Sequence, residues 1–150
     1  MKKLALALLL MLFTQTAYAA DLVVEDAWVR LVPPVAENTA AYMLLRNTGA
    51  DDVKLTGITC SLAASAGLHG MRMDGNRMAM FPLQEVIVPA GAEVSFAPGG
   101  KHIMLMGLKR PLKAGDALEM VLQTSAGETL KILATVRDMR MGHHHQGGMH

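Results

Sequence analysis

The chain has 150 residues, of which 14 are Lys or Arg and 13 are Asp or Glu. Residues 1–19 read as a secretory signal peptide that contains two of the lysines, which leaves 12 basic against 13 acidic residues and a mature net charge of about −1. Nothing in this balance suggests nucleic acid or an anionic membrane surface as a partner, since either would call for a basic patch. No apolar run is long enough to span a bilayer, so we expect no membrane insertion of the mature chain.

The leader has the three parts of a signal peptide. It starts with Lys2 and Lys3, continues with an apolar stretch over residues 4–13, and ends in Ala17-Tyr18-Ala19, a small-residue cleavage motif. We expect cleavage after Ala19 and a periplasmic or secreted protein. Cys60 is the single cysteine, so no internal disulfide can form, and its simplest interpretation is a small buried apolar residue.

Short apolar segments alternate with turn signals along the mature chain. In chain order the predicted strands are DLVVEDAWVR, TAAYMLLRNTG, DDVKLTGITC, RMAMFPLQEVIVPAG, AEVSFAPGG, HIMLMGLK, DALEMVLQTSAG and ETLKILATV. Their spacing predicts an all-β, antiparallel β-sandwich formed by one domain over residues 20–138. Only ITCSLAASAG has a composition that suits a short helix or a loop. Residues 139–150 lack apolar periodicity and are expected to form a flexible tail.

Residue types that bind metals are concentrated in one half of the chain. All six histidines lie at or after residue 69, and six of the 13 methionines fall between residues 71 and 106. The segments LHGMRM, RMAMF and HIMLM each carry these types two residues apart, so that they would face one way in an extended strand. Core packing alone does not explain such clustering.

The ligand types favour a soft metal ion. Thioether sulfur is neutral and polarisable and favours Cu(I), whereas calcium and magnesium require oxygen ligands and zinc sites use thiolate, imidazole and carboxylate. A blue-copper electron carrier would need a histidine before the cysteine and another soon after it. Cys60 has no histidine upstream, and His69 lies nine residues further on, so this alternative is disfavoured.

At this point the chain resembles the periplasmic copper chaperones of the PCuAC family. Their motif is a histidine, ten residues, a methionine, twenty-one residues and His-x-Met, and here His69, Met80, His102 and Met104 match it in spacing and type. The resemblance covers about residues 22–137, including DAWVR, AAYMLLRNTG, IVPAG and PGGKHIMLMGLKRPLKAGD. It implies a cupredoxin-like sandwich that holds Cu(I) with these four residues. One departure is GLHGM, which lacks an acidic residue near the first histidine.

Several nearby residues have simpler interpretations. The family spacing selects Met80 over Met78 as the ligand. Met71, Met73 and Met106 would serve packing or form a soft collar around the site, and Trp28 would be a core anchor. The sequence alone leaves open whether these methionines assist the metal.

The resemblance also implies a function. It indicates a periplasmic Cu(I) carrier without enzymatic activity, which delivers the ion to the CuA centre in subunit II of cytochrome c oxidase together with a Sco-type protein. Copper storage or tolerance, a redox copper protein and a metal-free binding module remain alternatives. A second copper site, for Cu(II), is expected in the tail, as in relatives with such extensions, unless the tail is the remnant of an expression tag. Its candidate ligands are His143, His144, His145, Met149 and His150.

Overall fold

The computed structural model describes residues 21–140. The expected signal peptide and the tail ligands at positions 143–150 lie outside the described residues. Within residues 21–140, no helix combines the length and the apolar character needed to cross a membrane.

The described chain is built from ten β-strands. They are β1 (Leu22–Arg30), β2 (Asn38–Asn47), β3 (Val53–Cys60), β4 (Ala63–Asp74), β5 (Arg77–Pro82), β6 (Val86–Val88), β7 (Glu93–Phe96), β8 (His102–Leu108), β9 (Ala117–Thr124) and β10 (Thr129–Arg137). Backbone hydrogen bonds link them in the order β5-β4-β8-β2-β1-β10-β9-β3-β6, and β7 pairs with the second half of β2. The all-β fold predicted from the sequence is confirmed.

The sheet folds back on itself into a sandwich. Strand β3 contacts β4 as well as its hydrogen-bonded neighbours, so the two ends of the strand order approach each other. All pairings are antiparallel except that of β1 with β10, which run parallel between Trp28–Arg30 and Thr135–Arg137. This parallel pair brings the first and last strands together, which the expectation of a purely antiparallel sandwich did not include.

A single hydrophobic core fills the space between the folded layers. It draws on nearly every strand, because alternate residues of each strand point inward. Cys60 belongs to this core with 8% of its surface exposed, as the sequence predicts. Its fully enclosed members include Leu45, Leu55, Ile103, Leu105, Leu118 and Met120.

Two segments differ from their predictions. ITCSLAASAG forms neither helix nor loop; it is the end of β3, a turn and the start of β4. Pairing of β4 with β8 supplies backbone partners from Ala63 onward, and these long-range bonds override the local preference. The predicted strand RMAMFPLQEVIVPAG is divided into β5, which pairs with β4 and ends at Pro82, and β6, which pairs with β3.

Trp28 is buried, as expected of a core residue, with 9% of its surface exposed. It lies opposite Tyr42 across β1 and β2, where the two ring centroids are 4.5 Å apart and the ring planes are tilted by 36°. The register between these strands shifts just before Trp28, at a bulge where Asp26 has a φ of 50°. The Arg137 side chain donates a hydrogen bond to Asp26, which lowers the pKa of that carboxyl, and also lies over the Trp28 ring.

Candidate metal centre

Pairing between β4 and β8 brings the two predicted histidines together. His69 lies directly opposite His102, and Gly67 lies opposite Met104. Directly opposite residues of neighbouring strands project from the same side of a sheet, and so do residues two apart along one strand. His69, His102 and Met104 therefore share one face.

Strand β5 adds methionines to the same face. Met71 of β4 lies directly opposite Met80 of β5, and Met71 is two residues beyond the first histidine. The intervening residues Leu68, Ile103 and Leu105 point the other way, into the core, with at most 4% of their surface exposed. The four predicted ligands thus project from the outer face of β5, β4 and β8, which we call the ligand face.

The imidazole of His102 is held between a carbonyl group and a thioether. The side chain is 6% exposed. Its Nδ1 lies 3.0 Å from the carbonyl oxygen of Gly100, and its Nε2 lies 3.0 Å from Sδ of Met80. In a neutral ring the proton is assigned to Nδ1, which donates to the stronger acceptor, the carbonyl oxygen. The lone pair of Nε2 then faces a sulfur lone pair, an arrangement that a bound cation would stabilise.

The ring of His69 is oriented in the same manner. Its Nδ1 lies 3.3 Å from the carbonyl oxygen of Gly67, and its centroid lies 5.8 Å from that of His102, with 23° between the ring planes. A Cβ atom at Gly67 would approach Cε1 of His69 to 3.3 Å, so the glycine leaves room for the ring. The Gly67 carbonyl group thus supports the His69 ring in place of an acidic residue, which the sequence does not offer here. Backbone carbonyl groups commonly support metal-binding histidines in this way.

Met104 is placed by register between two small residues. It lies opposite Gly67 on one side and opposite Ala40 of β2 on the other. Neither neighbour has a side chain long enough to compete for space on the ligand face. Met104 is half-buried and lies two residues along β8 from His102, as the alternation in the sequence predicts.

The ligand face offers neutral donors only. Within residues 21–140, no three His, Cys, Asp or Glu side chains gather closely enough to hold a metal ion. Besides Asp26, the carboxyl groups with a lowered pKa are Asp116, which accepts a hydrogen bond from Arg110, and Asp138, which accepts one from the backbone N–H of Arg140. These groups lie outside β4, β5 and β8. A donor set of imidazole nitrogen and thioether sulfur is suited to a soft ion.

The remaining methionines of the ligand face divide into two groups. Met71 and Met106 are half-buried, whereas Met73 and Met78 are 62% and 51% exposed, so core packing does not account for the latter pair. The sequence did not reveal that Met71 lies directly opposite Met80, because that neighbour depends on the register of β4 with β5.

Known proteins resemble this chain in sequence and in fold. The family model described as "Putative lipoprotein LpqE-like" matches residues 22–136. "Putative lipoprotein Lxx21020" of Leifsonia xyli subsp. xyli is 37% identical over 116 residues, which are 77% of this chain and 69% of that protein.

Solved structures extend the comparison. Apo-DR1885 from Deinococcus radiodurans is 38% identical, with a TM-score of 0.64 over 81% of this chain and 82% of that chain. CuI-DR1885 is 39% identical, with a TM-score of 0.60 over 84% and 86% of the two chains. The apo PCuAC domain from PmoF1 is 27% identical, with a TM-score of 0.67 over 79% and 94%.

The family match includes all ten strands of the sandwich. It begins at the first residue of β1 and ends within β10. The resemblance to PCuAC proteins, first seen in the spacing of four residues, is confirmed over the whole fold. The chain belongs to the LpqE-like family and shares the fold of the PCuAC domains.

Proposed function

We propose that the chain is an exported copper carrier whose folded domain binds Cu(I) through His69, Met80, His102 and Met104. The observation that carries this proposal is the 3.0 Å contact between Nε2 of His102 and Sδ of Met80, with Nδ1 of the same ring held by a carbonyl oxygen. Two neutral, polarisable donors directed at each other suit a soft monovalent cation. The similarity to CuI-DR1885 supports copper as that cation.

The position of the site favours transfer over catalysis or electron transfer. Met80 is 50% exposed, so a partner protein could reach the ion and replace its ligands one at a time. Four protein ligands would leave no coordination position for water or substrate, unlike a catalytic metal site. The Cys60 side chain is buried in the core and does not belong to the ligand face, which argues against a thiolate-based blue-copper centre.

The proposed cellular role follows from the family resemblance. The recipient would be the CuA centre in subunit II of cytochrome c oxidase, with a Sco-type protein as the second participant. Export to the periplasm is supported by the leader over residues 1–19 and by the lipoprotein descriptions of the relatives.

Met80 and Met78 provide a matched pair for testing the site. Both lie on β5, both face the ligand side, and they are 50% and 51% exposed, but only Met80 contacts His102. We expect Met80→Leu to weaken Cu(I) binding at least about tenfold. Removing a group that only supports a metal ligand already lowers metal affinity by about this factor. Met78→Leu should leave the affinity of the site at His102 unchanged. Anaerobic competition with a Cu(I) chelator measures both, and equal affinities in the two variants would overturn the site assignment.

We further propose that the tail captures a second copper ion, as Cu(II). Imidazole suits this harder ion better than thioether does. The proposed ligands are His143, His144, His145, Met149 and His150. The mature chain should then bind two tight copper equivalents, and a chain truncated after Asp138 should bind one. Metal analysis after gel filtration measures this ratio, and the same stoichiometry in both forms would remove the tail site.

A further inference from the structure

The β4–β5 hairpin carries a ladder of methionines that extends beyond the proposed ligands. Met71 lies opposite Met80, and one step further out Met73 lies opposite Met78. Successive rungs of an antiparallel ladder on one face are about 7 Å apart, twice the rise per residue. Because Met80 contacts His102, the inner rung adjoins the proposed copper site, and the outer rung lies near the hairpin tip.

The outer rung is exposed, and the charged residues of the hairpin are directed away from it. The hairpin closes through a two-residue turn between Asp74 and Arg77, with Gly75 at a φ of 61°. Alternation directs Arg72, Asp74 and Arg77 to the opposite face, where the Arg72 guanidinium lies 5.1 Å from the centre of the Phe81 ring. The hairpin therefore presents thioethers without side-chain charges on the ligand face.

Neither packing nor strand formation explains why the outer rung consists of two methionines. Met73 and Met78 are 62% and 51% exposed and do not belong to the core. Strand positions favour β-branched and aromatic residues, so methionine is not the residue that strand propensity would select. What distinguishes methionine from those residues is its sulfur, a ligand for soft metal ions.

We propose that Met73 and Met78 form a second, weaker binding site for Cu(I), through which the ion enters and leaves the site at His102. This inference rests on the proposed function of the inner site. Each step exchanges one thioether for another: a bond from copper to an inner sulfur forms as a bond to an outer sulfur breaks. The ion remains Cu(I), and no electron or proton is transferred. Two neutral sulfurs hold the ion more weakly than the inner set of imidazoles and thioethers, so the ion moves inward.

Silver provides a direct probe of the outer rung, because Ag(I) is a soft monovalent ion that does not change oxidation state under these conditions. A chain ending at residue 140, which lacks the proposed tail ligands and carries 13C-labelled methionine methyl groups, would be titrated with Ag(I) and followed by NMR. We expect the first equivalent to shift the Met80 and Met104 methyl signals and the ring signals of both histidines. Further equivalents should shift Met73 and Met78 in fast exchange.

An exposed methionine elsewhere provides the reference for this titration. Met139 is 47% exposed and is not part of the ligand face. If the Met73 and Met78 signals move no more than that of Met139 up to a fivefold excess of Ag(I), the outer site does not exist. Absence of shifts at His69 and His102 would instead contradict the proposed function, so the two failures are distinguishable.

The rate of copper capture tests the role of the outer rung. The double variant Met73→Leu/Met78→Leu keeps the apolar surface and removes both sulfurs. In this variant, the capture of Cu(I) from a labile complex and its release to a chelator, both measured by stopped flow, should each become severalfold slower. The equilibrium affinity of the inner site should stay unchanged. Met139→Leu serves as the control and should match the wild type. Unchanged rates in the double variant would overturn the proposal.

Discussion

Replacing His102 with alanine is expected to lower the affinity of the chain for Cu(I) by more than about 100-fold. Loss of a group that only supports a metal ligand lowers metal affinity by up to about 100-fold, and loss of a ligand itself should cost more. His102 contacts another proposed ligand, Met80, through Nε2 and is fixed by a backbone carbonyl through Nδ1. Its removal takes away a donor and also leaves Met80 without the group that positions its sulfur. Anaerobic chelator competition on a chain ending at residue 140 measures this loss without a contribution from the tail.

Another residue of β8 provides the control for this experiment. Met106 lies on the same face two residues beyond Met104 and is half-buried, but it is outside the proposed ligand set. Met106→Leu should bind Cu(I) as the wild type does. The unfolding midpoint of each apo variant shows whether the domain remains intact. A folded His102→Ala variant that keeps its full affinity would contradict the proposed site.

The part of the site that could be predicted from sequence is the part that depends on alternation within one strand. HIMLM was predicted to be extended, and β8 confirms this, with Ile103 and Leu105 in the core and His102 on the opposite face. The period of two decides which residues share a face, whichever strand lies alongside. The faces of β8 could be predicted because apolar residues alternate with histidine and methionine along the strand.

Register between strands could not be predicted in the same way. That His69 lies opposite His102 follows from how β4 aligns with β8, a long-range pairing with no local signal in the sequence. The motif spacing indicated that the four residues meet, but not that a carbonyl group of Gly67 or Gly100 would orient each ring. Every residue has a backbone carbonyl group, so the sequence does not indicate which of them will hold a histidine ring. The structure was needed to show this.

The fold also has features that alternation predicts and features that depend on how strands align. Alternation predicted the β9–β10 hairpin, and Leu118 and Ile132 point into the core as expected. The bulge at Asp26 was not predicted, because a bulge requires one extra residue relative to a partner strand. Beyond this bulge the Trp28 ring packs at a tilt against that of Tyr42. Residue size and apolarity predicted that Trp28 is buried, but not which layer covers it.

The two faces of β8 lead to a second large effect, on folding stability. Leu105 has no exposed surface and lies in the core directly behind the ligand face. We expect Leu105→Ala to lower the free energy of unfolding by about 2–5 kcal/mol, from the lost burial and the cavity that remains. Urea unfolding of the apo protein measures the change. Leu133→Ala is the matched control, because Leu133 is 70% exposed and its removal should change stability by less than about 0.5 kcal/mol.

Copper should then stabilise the Leu105→Ala variant as much as the wild type. A ligand that binds only the folded state at 100 times its dissociation constant adds about 2.7 kcal/mol, whatever the stability of the apo protein. His102 and Met80 touch each other on the outer face, and the Gly100 carbonyl group holds the His102 ring. The cavity left by Leu105→Ala does not remove any of these groups. An equal increment from Cu(I) in both proteins is therefore the expected result. A much smaller increment in the variant would mean that the packing behind β8 holds the ligands in position, and that the carbonyl contacts alone do not.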